Sequence, residues 1–348
     1  MDLLANIKEI KYKPFLCHKL EEFDLKNLKK ALDSSASFIL KIDRENKIAL
    51  SWWVSAKRTR SYPYARVYDT LSFAGKKVTI IPVYKDEGLE GDRDFLQWDT
   101  ISLMSLLGIY VIVAYYCTAE KSKRYKQKIT KQRFDLDYIH KQINNILSYQ
   151  SDALHWNLSQ IDNIGKMGRK ALTCYAKISK KLKVKMHSEK SADKKILKLA
   201  GDKNEFMKSS RLLAEQAQIR ERLTVQPKEN LSGLKAIITI KNFLGGNYFF
   251  TVDEVKLKNN KLYLVEGKHS QNGTLPSIED IKDGLIKMIL FTNLVDTKLN
   301  GKKHDSIPVL KLTTGRKYKE YNLNVAQKAT ISLLEKEAEA NNFEILLR

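Results

Sequence analysis

The clearest hydrophobic pattern in the chain is the alternation from Tyr248 to Ser270, YFFTVDEVKLKNNKLYLVEGKHS. Two runs rich in Val, Leu, Tyr and Phe flank Asn259-Asn260, and asparagine tolerates the positive φ of a two-residue hairpin turn. Pairing the runs about that turn puts Leu257 opposite Leu262 and Val255 opposite Leu264, an aliphatic ladder, with Asp253 opposite Glu266 at its open end. Lys268 lies two residues beyond Glu266 and shares its face, while Glu254 against Val265 and Lys256 against Tyr263 occupy the other. Opposed Cβ atoms sit about 4.5–5.5 Å apart, so two carboxylates there repel, and a divalent cation between them would relieve that cost.

Elsewhere the patterning predicts a mixed α/β chain. A short helix is expected at 24–33, strands at about 46–55, 66–73 and 77–84, and a helix at about 94–107 ending at Gly108 as a C-cap. Ile109 to Cys117 reads as a strand buried on both faces. Ile139, Ile143, Ile146 and Leu147 form one face of a helix, whereas Lys177 to Lys198 has few regularly spaced large apolar residues and reads as a mobile linker or arm. A helix is expected at 231–243 before Gly245-Gly246. Ser277, with Asp280 three residues on, starts a helix running to about Val295 with an Ile278/Ile281/Leu285/Met288 stripe. A strand at Ile307 to Thr313 and a helix at about 323–341 follow. The resulting division is 1–118, an α/β region suited to DNA recognition; 119–228, basic and mainly helical; 229–318, the hairpin and its helix and strand; and 319–348, a C-terminal helix packing on that core.

Charge changes the picture. The 348 residues carry 62 Lys and Arg against 40 Asp and Glu, a net +22, and a field of that sign attracts polyanions, nucleic acid first. Residues 119–230 alone hold 26 basic against 12 acidic side chains, so the excess is concentrated where the helical pattern is. Cys17, Cys117 and Cys174 lack any paired spacing, which argues against a disulfide framework or a zinc site and fits a reducing cytoplasm. The charged start MDLLANIKEIKYK reads as no signal peptide, and Ile109 to Tyr116 is too short to span a bilayer, so no membrane association is expected.

Asp253, the hairpin, and then Glu266-Gly267-Lys268 together resemble the PD-(D/E)XK nucleases, whose ExK strand is followed by a helix and a further strand. The resemblance covers residues 248–270 closely and extends loosely to 313; Thr251-Val252 stands where many members have a proline before the acid. It implies a core of mixed sheet flanked by helices, with an additional N-terminal α/β region and a basic helical region beside it. It implies Mg2+ held by Asp253, Glu266 and the Gly267 carbonyl, and catalysis by Asp253, Glu266 and Lys268. Lys268 would orient or deprotonate the attacking water, or stabilise developing negative charge. A compact core with about 200 further residues suits a type II restriction endonuclease acting on double-stranded DNA as a homodimer, with a cognate DNA methyltransferase as its genetic partner. A junction, repair or transposon-associated nuclease, or a non-catalytic basic DNA-binding protein, are the alternatives.

Further candidates are weaker in pattern. Lys57, Arg58 and Arg60 interleave with aromatic residues as a DNA-contact loop would. Ser270 and Gln271 follow the triplet and could meet phosphate or a base edge, and Lys282 and Lys287 on the next helix could reach the backbone, if they are not its solvated face. Glu229 is the nearest upstream acid able to complete a site. Asp86, Glu87, Asp92 and Asp94 form a second acidic cluster, read either as a second metal or DNA-reading site or as loop and helix-terminal charges. Ile164 to Leu172, IGKMGRKAL, loosely resembles a phosphate-binding helix–hairpin–helix loop.

Overall fold

The computed structural model describes residues 2–56, 62–199, 234–242, 247–271, 274–315 and 323–348. It is a mixed α/β protein with several mixed sheets flanked by helices. The chain divides into two compact units, one formed by Met1–Lys19 with Arg211–Arg348 and the other by Leu20–Ser210. Among the described residues no helix is long and apolar enough to cross a membrane.

The chain opens with β1 (Asp2–Ile7) and then builds the whole of the Leu20–Ser210 unit before returning to that strand's sheet. In this unit β2 (Glu22–Asp24), a 3-10 turn and α1 (Leu28–Ser34) lead into β3 (Ser37–Lys41) and β4 (Lys47–Trp52). After α2 (Tyr62–Tyr68) come β5 (Lys77–Pro82), the small ribbon β6 (Tyr84–Asp86) and β7 (Arg93–Phe95), α3 (Trp98–Leu106) and β8 (Ile109–Ala114). A second ribbon, β9 (Tyr116–Lys121) and β10 (Ile129–Phe134), precedes four helices: α4 (Leu136–Ser148), α5 (Ala153–Asp162), α6 (Ile164–Leu182) and α7 (Glu189–Leu199). The sheet order is β2-β3-β4-β5-β8, parallel except between β3 and β4. Every residue of β8 is buried, as expected for a strand covered on both faces, and Gly108 takes φ +67° just after α3.

Three local expectations are corrected in this unit. Residues 66–73 end a helix and its following turn rather than forming a strand; Arg66 of α2 donates to the Trp52 carbonyl at 2.8 Å and lies over the Trp52 ring. Lys177 to Lys198 is not an arm, because it supplies the end of α6 and most of α7, with Ile178, Ala192 and Ile196 buried. The segment Ile164 to Leu172 lies inside α6, so its amides beyond the first turn serve the helix ladder; Gly165 and Gly168 are buried there as packing positions.

The other unit is one eight-stranded sheet. Its later elements are β11 (Leu234–Asn242), β12 (Asn247–Lys258), β13 (Lys261–Ser270), α8 (Ile278–Phe291), β14 (Val295–Leu299), β15 (Lys302–Lys303), β16 (Asp305–Thr314), α9 (Val325–Asn341) and β17 (Glu344–Leu347). The strand order is β15-β14-β1-β11-β12-β13-β16-β17. The sequence expectation of a helix at 231–243 is wrong over its described part. Ala236, Ile238 and Ile240 are buried with less buried residues between them, a period of two, and β-branched side chains favour the strand.

The hairpin register is as read from the sequence: Leu257 pairs with Leu262, Val255 with Leu264 and Glu254 with Val265. Asn259 and Asn260 take φ of 51° and 61°, the two positive values of a type I′ turn. From β13 the chain runs through α8 and the β14–β15 ribbon, which pairs with β1 at the other side of the sheet, before β16 pairs in parallel with β13 from Lys261–Asp305 to Ser270–Thr314. Ser277 caps α8 by accepting from the Asp280 amide at 3.1 Å, and Ile281, Leu285 and Met288 are buried. Glu337 on α9 is fully buried and accepts from the Tyr12 hydroxyl and the Phe15 and Leu16 amides, fixing the segment after β1 to that helix.

A charged cluster between the hairpin and the crossover helix

Strand parity puts Asp253, Glu266 and Lys268 on the sheet face covered by α8. The backbone ladder of the hairpin stops at Glu254–Val265, one pair short of Asp253 and Glu266. Beyond it the Asp253 carboxylate reaches across and accepts from the Gly267 amide at 2.8 Å. Glu266 is 1% exposed and is held by two ammonium groups, Lys268 Nζ at 3.0 Å and Lys287 Nζ at 2.7 Å. Lys287 also donates to the Thr251 carbonyl at 3.2 Å, and Lys268 to Asp283 at 2.5 Å. The repulsion expected at the hairpin mouth is therefore met by two lysines, one from β13 and one from α8.

Burial alone would raise the Glu266 carboxyl, but the charges and hydrogen bonds of Lys287 and Lys268 outweigh it and hold the group below the ordinary glutamate value. Burial lowers Lys268, yet Glu266 and Asp283 together lift it well above the ordinary lysine value. Lys287 follows the same logic: burial opposes its charge, and Glu266 and Asp253 raise it. Asp283 has one cationic partner, which does not offset its burial, so its carboxyl lies above the ordinary aspartate range. In this arrangement Lys268 and Lys287 are charged donors, not proton acceptors, at neutral pH.

A spacing of four places Asp283 and Lys287 on one side of α8, next to the apolar stripe. Gly284 lies between them, and a Cβ there would meet Leu310 Cδ1 at 2.7 Å and Lys268 Cε at 3.2 Å. The missing side chain lets the helix sit close enough for both charged residues to reach the strands. Sequence reasoning named Lys287 only as a phosphate contact and missed Asp283. The available signal was a charged pair flanking a glycine beside a buried face.

Oxygen donors suited to Mg2+ are present in Asp253 and Glu266, and one or two carboxylates with waters suffice for that ion. Among the described residues no three His, Cys, Asp or Glu side chains converge as metal ligands, so Asp253 and Glu266 would carry the ion with backbone or solvent oxygens. Both oxygens of Glu266 hold ammonium groups, so taking up a metal means releasing one of them.

The remaining candidates are dispersed. Lys282 is 3% exposed with Nζ 3.5 Å from His18 Nδ1, a correction to its assignment as a backbone-reaching lysine, since a buried ammonium does not meet a phosphate. Glu254 is buried on the opposite face with Lys256 at 2.7 Å and Lys311 at 3.3 Å. Ser270 closes β13, its carbonyl accepting from the Gly315 amide at 2.9 Å, and Gln271 is exposed beyond it. Lys57, Arg58, Arg60 and Glu229 lie outside the described residues.

In the other unit the acidic cluster sits on the β6–β7 ribbon, with Asp86 and Asp94 in its strands and Glu87 and Asp92 in the connecting loop. Asp86, 1% exposed, accepts from the Tyr84 hydroxyl at 2.7 Å, the Gly88 amide at 2.8 Å and the His187 amide at 3.2 Å. Burial works against the charge of Glu87, but Lys85 at 2.5 Å and Lys128 at 3.0 Å overcome it and push its carboxyl down to about 2. Asp94 is buried and accepts from the Ser55 hydroxyl, and the Asp92 amide donates to Glu87 at 3.4 Å. These contacts give Asp86, Glu87 and Asp94 an anchoring role, while Asp92 is exposed.

Compared with known proteins, the chain matches no family model, no curated protein and no solved structure.

Proposed function

We propose that the unit carrying β12, β13 and α8 is a Mg2+-dependent DNA endonuclease of the PD-(D/E)XK type. The supporting observation is the convergence of Asp253, Glu266 and Lys268 on one sheet face, on a hairpin that continues through a helix to a parallel strand. In this reading Asp253 and Glu266 hold the ion, with the Gly267 carbonyl beside them. When bound, the ion supplies Lewis-acid relief of charge on the phosphate. Lys268, kept protonated by Glu266 and Asp283, orients the attacking water and donates to the charge developing on phosphate oxygens. Asp283 fixes its position. Lys287, which holds the other oxygen of Glu266, would be a second cation beside the ion.

A more specific form of the proposal is a type II restriction enzyme, cutting double-stranded DNA at a fixed sequence as a homodimer. A second reading draws on the pairing of Glu266 with two lysines, which satisfies the carboxylate without a metal: a non-catalytic basic DNA-binding protein in which this cluster is structural. Plasmid DNA incubated with the protein, with and without Mg2+, beside Glu266→Ala and Lys268→Ala distinguishes them. Discrete fragments that need Mg2+ and vanish in both variants support the restriction reading. Cleavage confined to branched DNA favours a junction nuclease. Tight binding with no cleavage under Mg2+ or Mn2+ sinks the nuclease proposal.

A further inference from the structure

Between α4 and α6 lies a pocket of about 410 Å3, remote in sequence from the charged cluster and in the other unit. Three lysines line it: Lys141 from α4, and Lys166 and Lys170 from α6. None of the three forms an ion pair with a carboxylate among the described residues. Two acids also line the pocket, Asp135 and Asp137. Asp135 is already engaged, capping α4 by accepting from the Tyr138 amide at 3.0 Å and taking the Tyr115 hydroxyl at 2.5 Å. Asp137 belongs to the first turn of α4, where the helix field favours a negative charge.

Lys170 is held in place. Its ammonium lies 5.4 Å from the Tyr115 ring centroid and 5.6 Å from that of Tyr138, close enough for attraction to both π faces. Asn163, the helical residue that ends α5 and starts α6, also lines the pocket. A positioned lysine and two further lysines without a carboxylate partner thus share one concave surface. The lining carries three Lys and two Asp, a surplus of one positive charge.

We propose that this pocket binds a phosphate group, supplied either by a nucleic-acid backbone or by a small phosphorylated ligand. Lysine is a compact point charge that suits phosphate from several directions, and three of them match its several acceptor oxygens. The site stands apart from the endonuclease reading: no divalent metal is needed, and neither Asp253 nor Glu266 takes part.

The test is calorimetric titration of the full chain with inorganic phosphate, at constant ionic strength and without divalent metal. Saturable one-site binding is expected, weakened about tenfold or more in Lys166→Gln/Lys170→Gln. Lys180→Gln/Lys181→Gln, the same charge change in the last turn of α6, should leave it unchanged. Tyr138→Leu removes one ring beneath Lys170 while keeping every lysine, and should weaken binding several-fold. All four lysines are exposed, so both double variants should keep the fold, which equal thermal melting of the variants checks. A second arm uses a short DNA duplex. Displacement of the duplex by phosphate, together with its weakening in Lys166→Gln/Lys170→Gln, identifies backbone phosphate as the source. Phosphate binding that leaves the duplex unaffected identifies a small phosphorylated ligand. Absence of saturable phosphate binding, or equal loss in both double variants, overturns the proposal.

Discussion

Two lysines share the carboxylate of Glu266, and this sharing governs how the cluster responds to substitution and to pH. Removing one partner of a buried ion pair costs about 3–5 kcal/mol when the other charge is left alone. Glu266 keeps Lys268 if Lys287 is lost, so Lys287→Met should cost about 2 kcal/mol, below that range. Lys268→Met strips a partner from both Glu266 and Asp283 and should cost more; urea unfolding of the two variants gives the order. The pH response has opposite signs at the two acids. Glu266 titrates lower in the folded chain than in the unfolded one, so its contribution is present above the ordinary glutamate value, about 4.3, and fades as pH falls through its folded value. Asp283 titrates higher when folded, so it favours the folded state at low pH and loses that contribution as pH rises through its folded value. The stability gap between wild type and Glu266→Gln should therefore narrow on acidification below that range. Asp283→Asn should steepen the wild-type acid limb, and a parallel shift of either curve would contradict this assignment.

At the scale of elements, the seat of α8 on the sheet turns on Gly284. Gly284→Ala adds a carbon where Leu310 Cδ1 and Lys268 Cε already stand, and neither has room to move: Leu310 is fully buried and Lys268 is tied to two carboxylates. Overpacking of this kind costs about 1–3 kcal/mol, against about 1 kcal/mol gained from helix propensity. A net loss of stability is expected in denaturant titrations, and a stabilised variant would show that the helix shifts freely. The same contact explains what could be read in advance. The hairpin announced itself because its alternation, its Asn-Asn turn and its buried pairs are all local. Residues 234–242 did not, since a run such as Ala236-Ile237-Ile238-Thr239-Ile240 is apolar at both helical and strand spacings, and only pairing with β1 and β12 selects the strand. The helices at 164–199 were half hidden for a related reason. They are held by a contact between distant turns, Gly168 against Ile196, which leaves little trace in local hydrophobicity. Asp283 escaped notice because its meaning depends on where α8 lands.

For the whole molecule, chain order and spatial order part company. β1 pairs in parallel with β11, more than 200 positions later, so the eight-stranded sheet closes only after the Leu20–Ser210 unit has been made. No local pattern could place Asp2–Ile7 beside Leu234–Asn242, which is why the first 118 residues read as one region when their opening strand belongs elsewhere. Charge, by contrast, is a property of the whole chain and was legible at once. A protein of net +22 that engages DNA through lysines displaces counterions, and log K should fall linearly with log salt at about 0.9 per phosphate neutralised. That slope can be divided between the units. If a backbone phosphate occupies the pocket between α4 and α6, Lys166→Gln/Lys170→Gln should reduce the slope by about 0.9, the share of that one phosphate. Glu266→Ala, which alters the other unit's cluster, should leave the contribution of that pocket intact. Fluorescence anisotropy with a short duplex across a salt series, without divalent metal, measures both. Equal slopes for wild type and the lysine double variant would remove the pocket from the DNA-binding surface and leave the attraction to charges elsewhere on the chain.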